Sequence, residues 1–269
     1  MKQVLLRQLI RIFAPARMFP TNLTPPEQLH GLIQRLHPLL PPTPFIRIGP
    51  RGDGGYLVPD DLDGITACFS PGVGPVSAFE RDCAERGMRV FMADASVEGP
   101  AMPHPAFQFS KLFIGAFTTD HFITLEEWVN RSLPHQPEAD LLLQMDIEGF
   151  EYEVLLATPP ALLNRFRIIV AEFHHLDQLF NKWFFHTAAR AIEKLLQTHA
   201  CVHIHPNNCR SVVRAGNIAI PPTMEFTFLR RDRLRGERFR HDFPHPLDSD
   251  NTGRGTILLP ACWYRAGSS

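Results

Sequence analysis

LLLQMDIEGFEYEVLL, residues 141–156, runs through five residues that are apolar except for Gln144. It then presents Asp146, Glu148 and Gly149 before a charged segment with helical spacing. A continuous apolar run, as opposed to an alternating one, marks a strand buried on both faces. Such strands belong to parallel sheets with helices on each side. FRIIVAEF, residues 166–173, repeats the pattern after the intervening helical piece. Upstream, ITACFS (65–70), the helically spaced VSAFERDCAERG (76–87) and MRVFMAD (88–94) make a strand, helix, strand unit. FQFSKLFIG (107–115) predicts a third strand. TLEEWVNRSL (124–133) predicts a helix capped by Thr124, with Glu127 three residues on. HTAARAIEKLLQTH (186–199) predicts another helix, and ACVHIHPNN (200–208) and MEFTFLRR (224–231) predict closing strands. The fold class is α/β, with a mostly parallel sheet flanked by helices.

The 269 residues, 44% hydrophobic and 20% charged, suffice for one large core. Lys plus Arg (27) against Asp plus Glu (28) leaves a net charge of −1, so no bulk attraction to nucleic acid is expected. Five scattered cysteines without a CxxC pair argue against a disulfide framework or a zinc knot, and fit a reducing cytoplasm. The pattern divides the chain into an N-terminal helical, proline-rich extension (1–44), a catalytic-type α/β domain (45–247) and an irregular C-terminal tail (248–269). In the extension, Lys2, Arg7, Arg11 and Arg17 interleave with Val4, Leu5, Leu6, Leu9, Ile10, Ile12 and Phe13. This spacing makes a basic amphipathic helix, suited either to a membrane surface or to docking on its own domain, and too interrupted to span a bilayer. PEQLHGLIQRLHPLL (26–40) reads as a lead-in helix outside the core. Oligomeric state is not legible.

In an open α/β sheet the ligand lies beyond the carboxyl ends of the strands. After the first strand, Gly72 and Gly74 permit a tight turn and close approach, followed by a helix N-terminus. After the second stands Asp94, placed to accept the hydroxyls of a ribose. Asp146 and Glu148 follow the fourth strand, and Glu172, His174 and His175 the fifth. Taken singly, GVG is a common turn, a strand-end Asp is as often the N-cap of the next helix, and a His is as often a satisfied core residue. Together they suit a nucleoside ligand, NAD or S-adenosylmethionine. Ser77 stands where the third glycine of a dinucleotide fingerprint would be, which disfavours a pyrophosphate. His203 and His205 alternate in one strand and face one side, ahead of Asn207 and Asn208; they are read as lining the substrate side of the cleft or as capping a strand end.

The segment LLLQMDIEGFEYEVL resembles the D-[IV]-E-G-x-E-x-x-[VIL] signature of FkbM-type methyltransferases. GDGGYLVPDDL, FSPGVGPVSAFERDCAERG, TLEEWV, IIVAEFHHL, VHIHPNN and IPPTMEFTFLRR resemble, in order, blocks of a bacterial FkbM-like subgroup, so roughly residues 45–232 are covered. The resemblance implies a Rossmann-like class I fold with a seven-stranded, mostly parallel sheet. It implies S-adenosylmethionine as cofactor, with Gly72 and Gly74 against the methionine part, Asp94 on the ribose, and Asp53, Gly54, Gly55 and Tyr56 in a loop closing over it. It also implies O-methylation of a sugar, glycan or polyketide-like small molecule. An alcohol needs a base or a cation beside it. In one mechanism His174 or His205 is the base, oriented by Asp146 or Glu172. In the other, Asp146, Glu172 and His174, with Glu148, hold Mg²⁺ or Mn²⁺. The expected catalytic set is thus Asp146, Glu148, Glu172, His174 and His205, in a cytoplasmic or membrane-peripheral protein. The competing classes are a nicotinamide-dependent oxidoreductase, for which Tyr152 lacks a Lys at the right distance, and a non-catalytic nucleoside-binding module.

Overall fold

All five residues of Leu141–Met145 and all eight of Phe166–Phe173 are buried, as strands covered on both faces must be. The computed structural model describes residues 2–16 and 20–265. Strands β1 (Ala67–Pro71), β2 (Arg89–Ala93), β3 (Phe107–Ser110), β4 (Leu141–Met145), β5 (Phe166–Phe173), β6 (His199–Pro206) and β7 (Met224–Arg230) form one sheet in the order 6-7-5-4-1-2-3. Only β7 runs antiparallel to its neighbours. This is the seven-stranded, mostly parallel Rossmann-like sheet that the sequence implies. The chain order reverses between β1 and β4, so their carboxyl ends flank the crevice where such sheets bind ligands.

The helices are α1 (Lys2–Phe13), α2 (Pro26–Arg35), α3 (Ala78–Glu85), α4 (Leu125–Ser132), α5 (Glu151–Ala157), α6 (Pro160–Leu163) and α7 (Lys182–Thr198). Successive strand residues point to opposite faces, and the core splits accordingly. Phe69, Leu141, Leu143, Met145, Ile169 and Phe173 pack on one side with α2, α4, α5 and α7. Cys68, Leu142, Ile168 and Val170 pack on the other with α3 and a hairpin formed by Phe45–Ile48 and Tyr56–Pro59. Thr124 caps α4 as expected, accepting a hydrogen bond from the Glu127 amide at 3.2 Å.

Four readings change. The stretch 107–115 is two strands, because the Leu112 amide donates to the Ser110 carbonyl and turns the chain out of the sheet. Phe113–Gly115 then pairs with Phe122–Thr124. Helix α7 begins four residues before His186, since Asn181 caps it by accepting from the Trp183 amide. The lead-in helix belongs to the core: Leu29, Leu32, Ile33 and Leu36 are buried in the larger cluster. The segment beyond Asp248 is irregular but is no free tail, for Leu259 and Trp263 are buried in that same cluster. In α1, Arg7, Arg11 and Ile12 are exposed, Ile12 at 67%, and residues 7–13 join neither cluster. The side chains of Lys2, Val4, Leu5 and Leu6, and all of Arg17, lie outside the described residues. No helix among the described residues is long and apolar enough to cross a membrane.

Asp248 ties the C-terminal segment to β6. Its Oδ1 accepts from His203 Nε2 at 2.8 Å and its Oδ2 from the His245 amide at 2.8 Å, while Arg240 Nη1 meets His203 Nδ1 at 3.1 Å. Arg240 can only donate, so Nδ1 accepts and the neutral ring carries its proton on Nε2, toward Asp248. Burial alone would raise the Asp248 carboxyl, but the His203 hydrogen bond and the adjacent His205 ring hold it far below the usual carboxylate range. A depressed carboxyl stabilises the fold fully above its unfolded pKa of about 3.9 and loses that contribution as pH falls toward the folded value. Asp248→Asn is therefore expected to lower stability by about 2 kcal/mol at pH 7. Urea unfolding should show this deficit constant above about pH 4 and shrinking toward pH 3; a pH-independent deficit would contradict the charge argument.

Candidate functional site

Gly72 follows β1 at φ +87°, and a Cβ there would lie 1.7 Å from the Asp146 carbonyl oxygen. Only glycine lets the ends of β1 and β4 meet, and the crevice opens from that contact. A cavity of about 410 Å³ lies there, bounded by Gly72, Gly74, Asp94 and the aromatic Phe113, Phe122 and Phe150. A Cβ on Gly74 would meet nothing within 4 Å, so this glycine leaves room on the cavity wall. Asp94 pins the turn: its Oδ2 accepts from the Val73 amide at 2.9 Å, and its Oδ1 from the Ser96 amide at 2.7 Å and hydroxyl at 2.6 Å.

The loop Asp53, Gly54, Gly55 and Tyr56 does not close over this cavity. A Cβ on Gly55 would sit 2.0 Å from the Pro50 carbonyl oxygen, and Tyr56 is buried with its hydroxyl accepting from Gln144 Nε2. Gly54 faces open space at φ +76°. Asp53 lines a second cavity, of about 360 Å³. That second cavity is polar, bounded by Asp53, Glu172, His174, Asn207, Arg210, Thr223, Asn251 and Thr252, and it shares Asp146 and Glu148 with the first.

The shared wall is built by the motif D-I-E-G-F-E. Glu151, fully buried at the start of α5, folds its Oε1 back onto the amides of Ile147 (3.2 Å) and Gly149 (3.1 Å) and so fixes the turn between them. The same oxygen meets His174 Nδ1 at 3.1 Å. The Tyr152 hydroxyl donates to the His174 carbonyl at 2.7 Å, holding the end of β5 against α5. His174 Nε2 then faces Glu148 Oε2 at 3.5 Å, Asp146 Oδ1 at 3.8 Å and Glu172 Oε1 at 3.8 Å. Glu148 and His175 both hold left-handed backbone at φ +57°. Such conformations are costly for residues with a Cβ and gather at functional sites. Gly149 sits against the His175 ring, joining the two strand-end turns.

Crowded carboxylates shift one another. Burial, then the charges of Glu148, Glu151 and Asp53, push Asp146 up to about 7 against the opposing pull of His174. Burial, followed by Asp146 and Glu225, holds Glu172 well above the ordinary carboxylate range. Burial of His174 would lower its pKa, but the Glu151 hydrogen bond and the surrounding carboxylates raise it.

Asp146, Glu148, Glu172 and His174 thus meet at one point, while His205 does not join them. It lines a separate cavity of about 210 Å³ with His245, Asp248 and Asp250, because the C-terminal segment covers that face of β6. Asn207 reaches the second cavity and donates to Glu172 Oε1 at 2.9 Å; Asn208 instead anchors Thr252 and Arg254. Three contributions were missed in the sequence. Glu151 was signalled by its place in the motif. The aromatic lining from Phe113, Phe122 and Phe150 and the Asn251 and Thr252 wall carry no local pattern.

Residues 123–201 match the methyltransferase FkbM domain family. No curated protein matches the chain. Among solved structures, the N-methyltransferase NodS from Bradyrhizobium japonicum WM9 overlaps at 11% identity and a TM-score of 0.33, covering 76% of this chain and 95% of that one. TrmN from Thermus thermophilus overlaps at 15% identity and a TM-score of 0.30, covering 62% of this chain and 44% of that one. The segment matched by the family holds every member of the shared wall, Asp146, Glu148, Glu151, Glu172 and His174. Residues 123–201, the segment that builds this wall, are thus similar to the methyltransferase FkbM domain, a match that implies S-adenosylmethionine as methyl donor.

Proposed function

We propose that this protein methylates a hydroxyl of a sugar, glycan or polyketide-like small molecule. The observation that carries the reading is the pair of cavities meeting at Asp146 and Glu148. The first suits the donor: a glycine turn, a carboxylate for ribose hydroxyls and aromatic rings for a base. The second, rich in amides, hydroxyls and carboxylates, suits a polyhydroxylated acceptor. When bound, the sulfonium supplies an already activated methyl group. What remains for the chain is to align the hydroxyl and take its proton. Glu172 is placed to take it. Its Oε1 is held by Asn207, whereas its buried Oε2 has no partner among the described residues. The oxidoreductase alternative gains nothing from Tyr152, which is buried, hydrogen-bonded to the His174 carbonyl and not among the residues that line either cavity.

Calorimetric titration with S-adenosylmethionine tests the donor site. The wild-type chain is expected to bind, and Asp94→Ala to weaken binding at least about 10-fold through loss of charged hydrogen bonds. Heat with NAD and none with S-adenosylmethionine would refute the reading.

A further inference from the structure

His174 stands in an arrangement that its own hydrogen bonds do not complete. Glu151 Oε1 already accepts two backbone amides, so His174 Nδ1 carries the proton that points at it. The other ring nitrogen, Nε2, is directed at the carboxyl groups of Glu148, Asp146 and Glu172. Their distances of 3.5–3.8 Å close no hydrogen bond. The other oxygen of Glu172, a residue only 4% exposed that lines the same polar cavity, is buried without a partner among the described residues. Donor atoms bound to one hard divalent ion at about 2.1 Å stand about 3 Å or more apart. The nitrogen and the carboxylate oxygens of Asp146, Glu148 and His174 lie within 4.8 Å of one another.

From this geometry we infer that Asp146, Glu148 and His174 bind a hard divalent cation, Mg²⁺ or Mn²⁺, between the two cavities, with Glu151 orienting the histidine from behind. The pattern of a carboxylate holding the far nitrogen of a metal-binding histidine is a common outer-shell device. It also gives a reason for the left-handed backbone at Glu148, which holds a largely solvent-exposed carboxylate 3.5 Å from the His174 ring. Two carboxylates and one imidazole leave coordination positions for water and an acceptor hydroxyl, as Mg²⁺ and Mn²⁺ require. This inference rests on the methyl-transfer reading and names its activating group. The cation would draw charge from the hydroxyl oxygen. As the O–H bond breaks, its proton goes to Glu172; the oxygen forms the new C–O bond, and the S–C bond of the donor breaks to leave a neutral thioether. The ligand set differs from the one expected in the sequence by leaving out Glu172, which serves instead as proton acceptor.

The test is titration of the EDTA-treated 269-residue chain with Mn²⁺, followed by electron paramagnetic resonance, with S-adenosylmethionine binding measured on the same samples. One Mn²⁺ per chain is expected, with ¹⁴N coupling from an imidazole. His174→Ala should remove that coupling, and Glu151→Gln should weaken Mn²⁺ binding about 10–100-fold. Asp94→Ala should lose S-adenosylmethionine while retaining Mn²⁺, so failure at one site is separable from failure at the other. Absence of Mn²⁺ binding, or binding without nitrogen coupling, in a chain that still binds S-adenosylmethionine would overturn the cation and leave the methyltransferase reading standing.

Discussion

Glu172→Gln is expected to lower kcat by about 10²–10⁴-fold, the range for loss of a general base. The amide preserves shape and an oxygen for Asn207, so its effect reports the missing carboxylate. Glu172 bounds the polar cavity and not the one beside Gly72 and Asp94, so under the proposed function S-adenosylmethionine affinity should be unchanged. The measurement is single-turnover transfer of a labelled methyl group to an acceptor found by screening hydroxylated compounds, beside calorimetry on the same variant. If kcat hardly changes while the protein stays folded, the proton goes elsewhere in the Asp146 and His174 group. If affinity for the donor falls with kcat, the two cavities are not the separate compartments described.

Gly72→Ala is expected to be the most destabilising substitution in the crevice. The residue needs φ +87°, and the added methyl would fall 1.7 Å from the Asp146 carbonyl oxygen. A side chain held in left-handed backbone costs about 1–3 kcal/mol. Forcing the β1 and β4 ends apart adds about as much again. A loss of that size consumes much of a stability of about 5–15 kcal/mol. Gly74→Ala supplies the contrast. Its methyl meets no atom within 4 Å, so stability should stay within about 0.5 kcal/mol of wild type while donor affinity drops. Chemical unfolding of both variants checks the pair. Equal stability of the two would mean that β1 and β4 can separate without cost.

The sheet was legible in the sequence because Leu141–Met145 and Phe166–Phe173 are apolar without alternation, and only strands covered on both faces need that. The strand-end positions of Asp146, Glu148, Glu172 and His174 followed from the same registers, and a strand-end residue in a parallel sheet has one rim to occupy. Other features depended on contacts between residues far apart in the chain. Gly55 and Tyr56 looked like a ligand loop, yet their neighbours are Pro50 and Gln144. His205 shares a strand face with His203, and nothing local shows that Asp248 and its segment cover that face. The helix over Pro26–Arg35 and Trp263 have ordinary sequence surroundings, and their burial is decided by where the two ends of the chain cross the sheet. The role of Glu151 lies between these cases. The motif marked its position, but only the folded turn shows one carboxylate oxygen holding two amides and a histidine, since hydrogen-bond geometry depends on the approach of β5 to α5. Local pattern thus determined which strands are buried and which residues reach the rim. Tertiary packing decided which of those residues meet, because side-chain chemistry depends on distances of a few ångströms between segments that the sequence does not bring together.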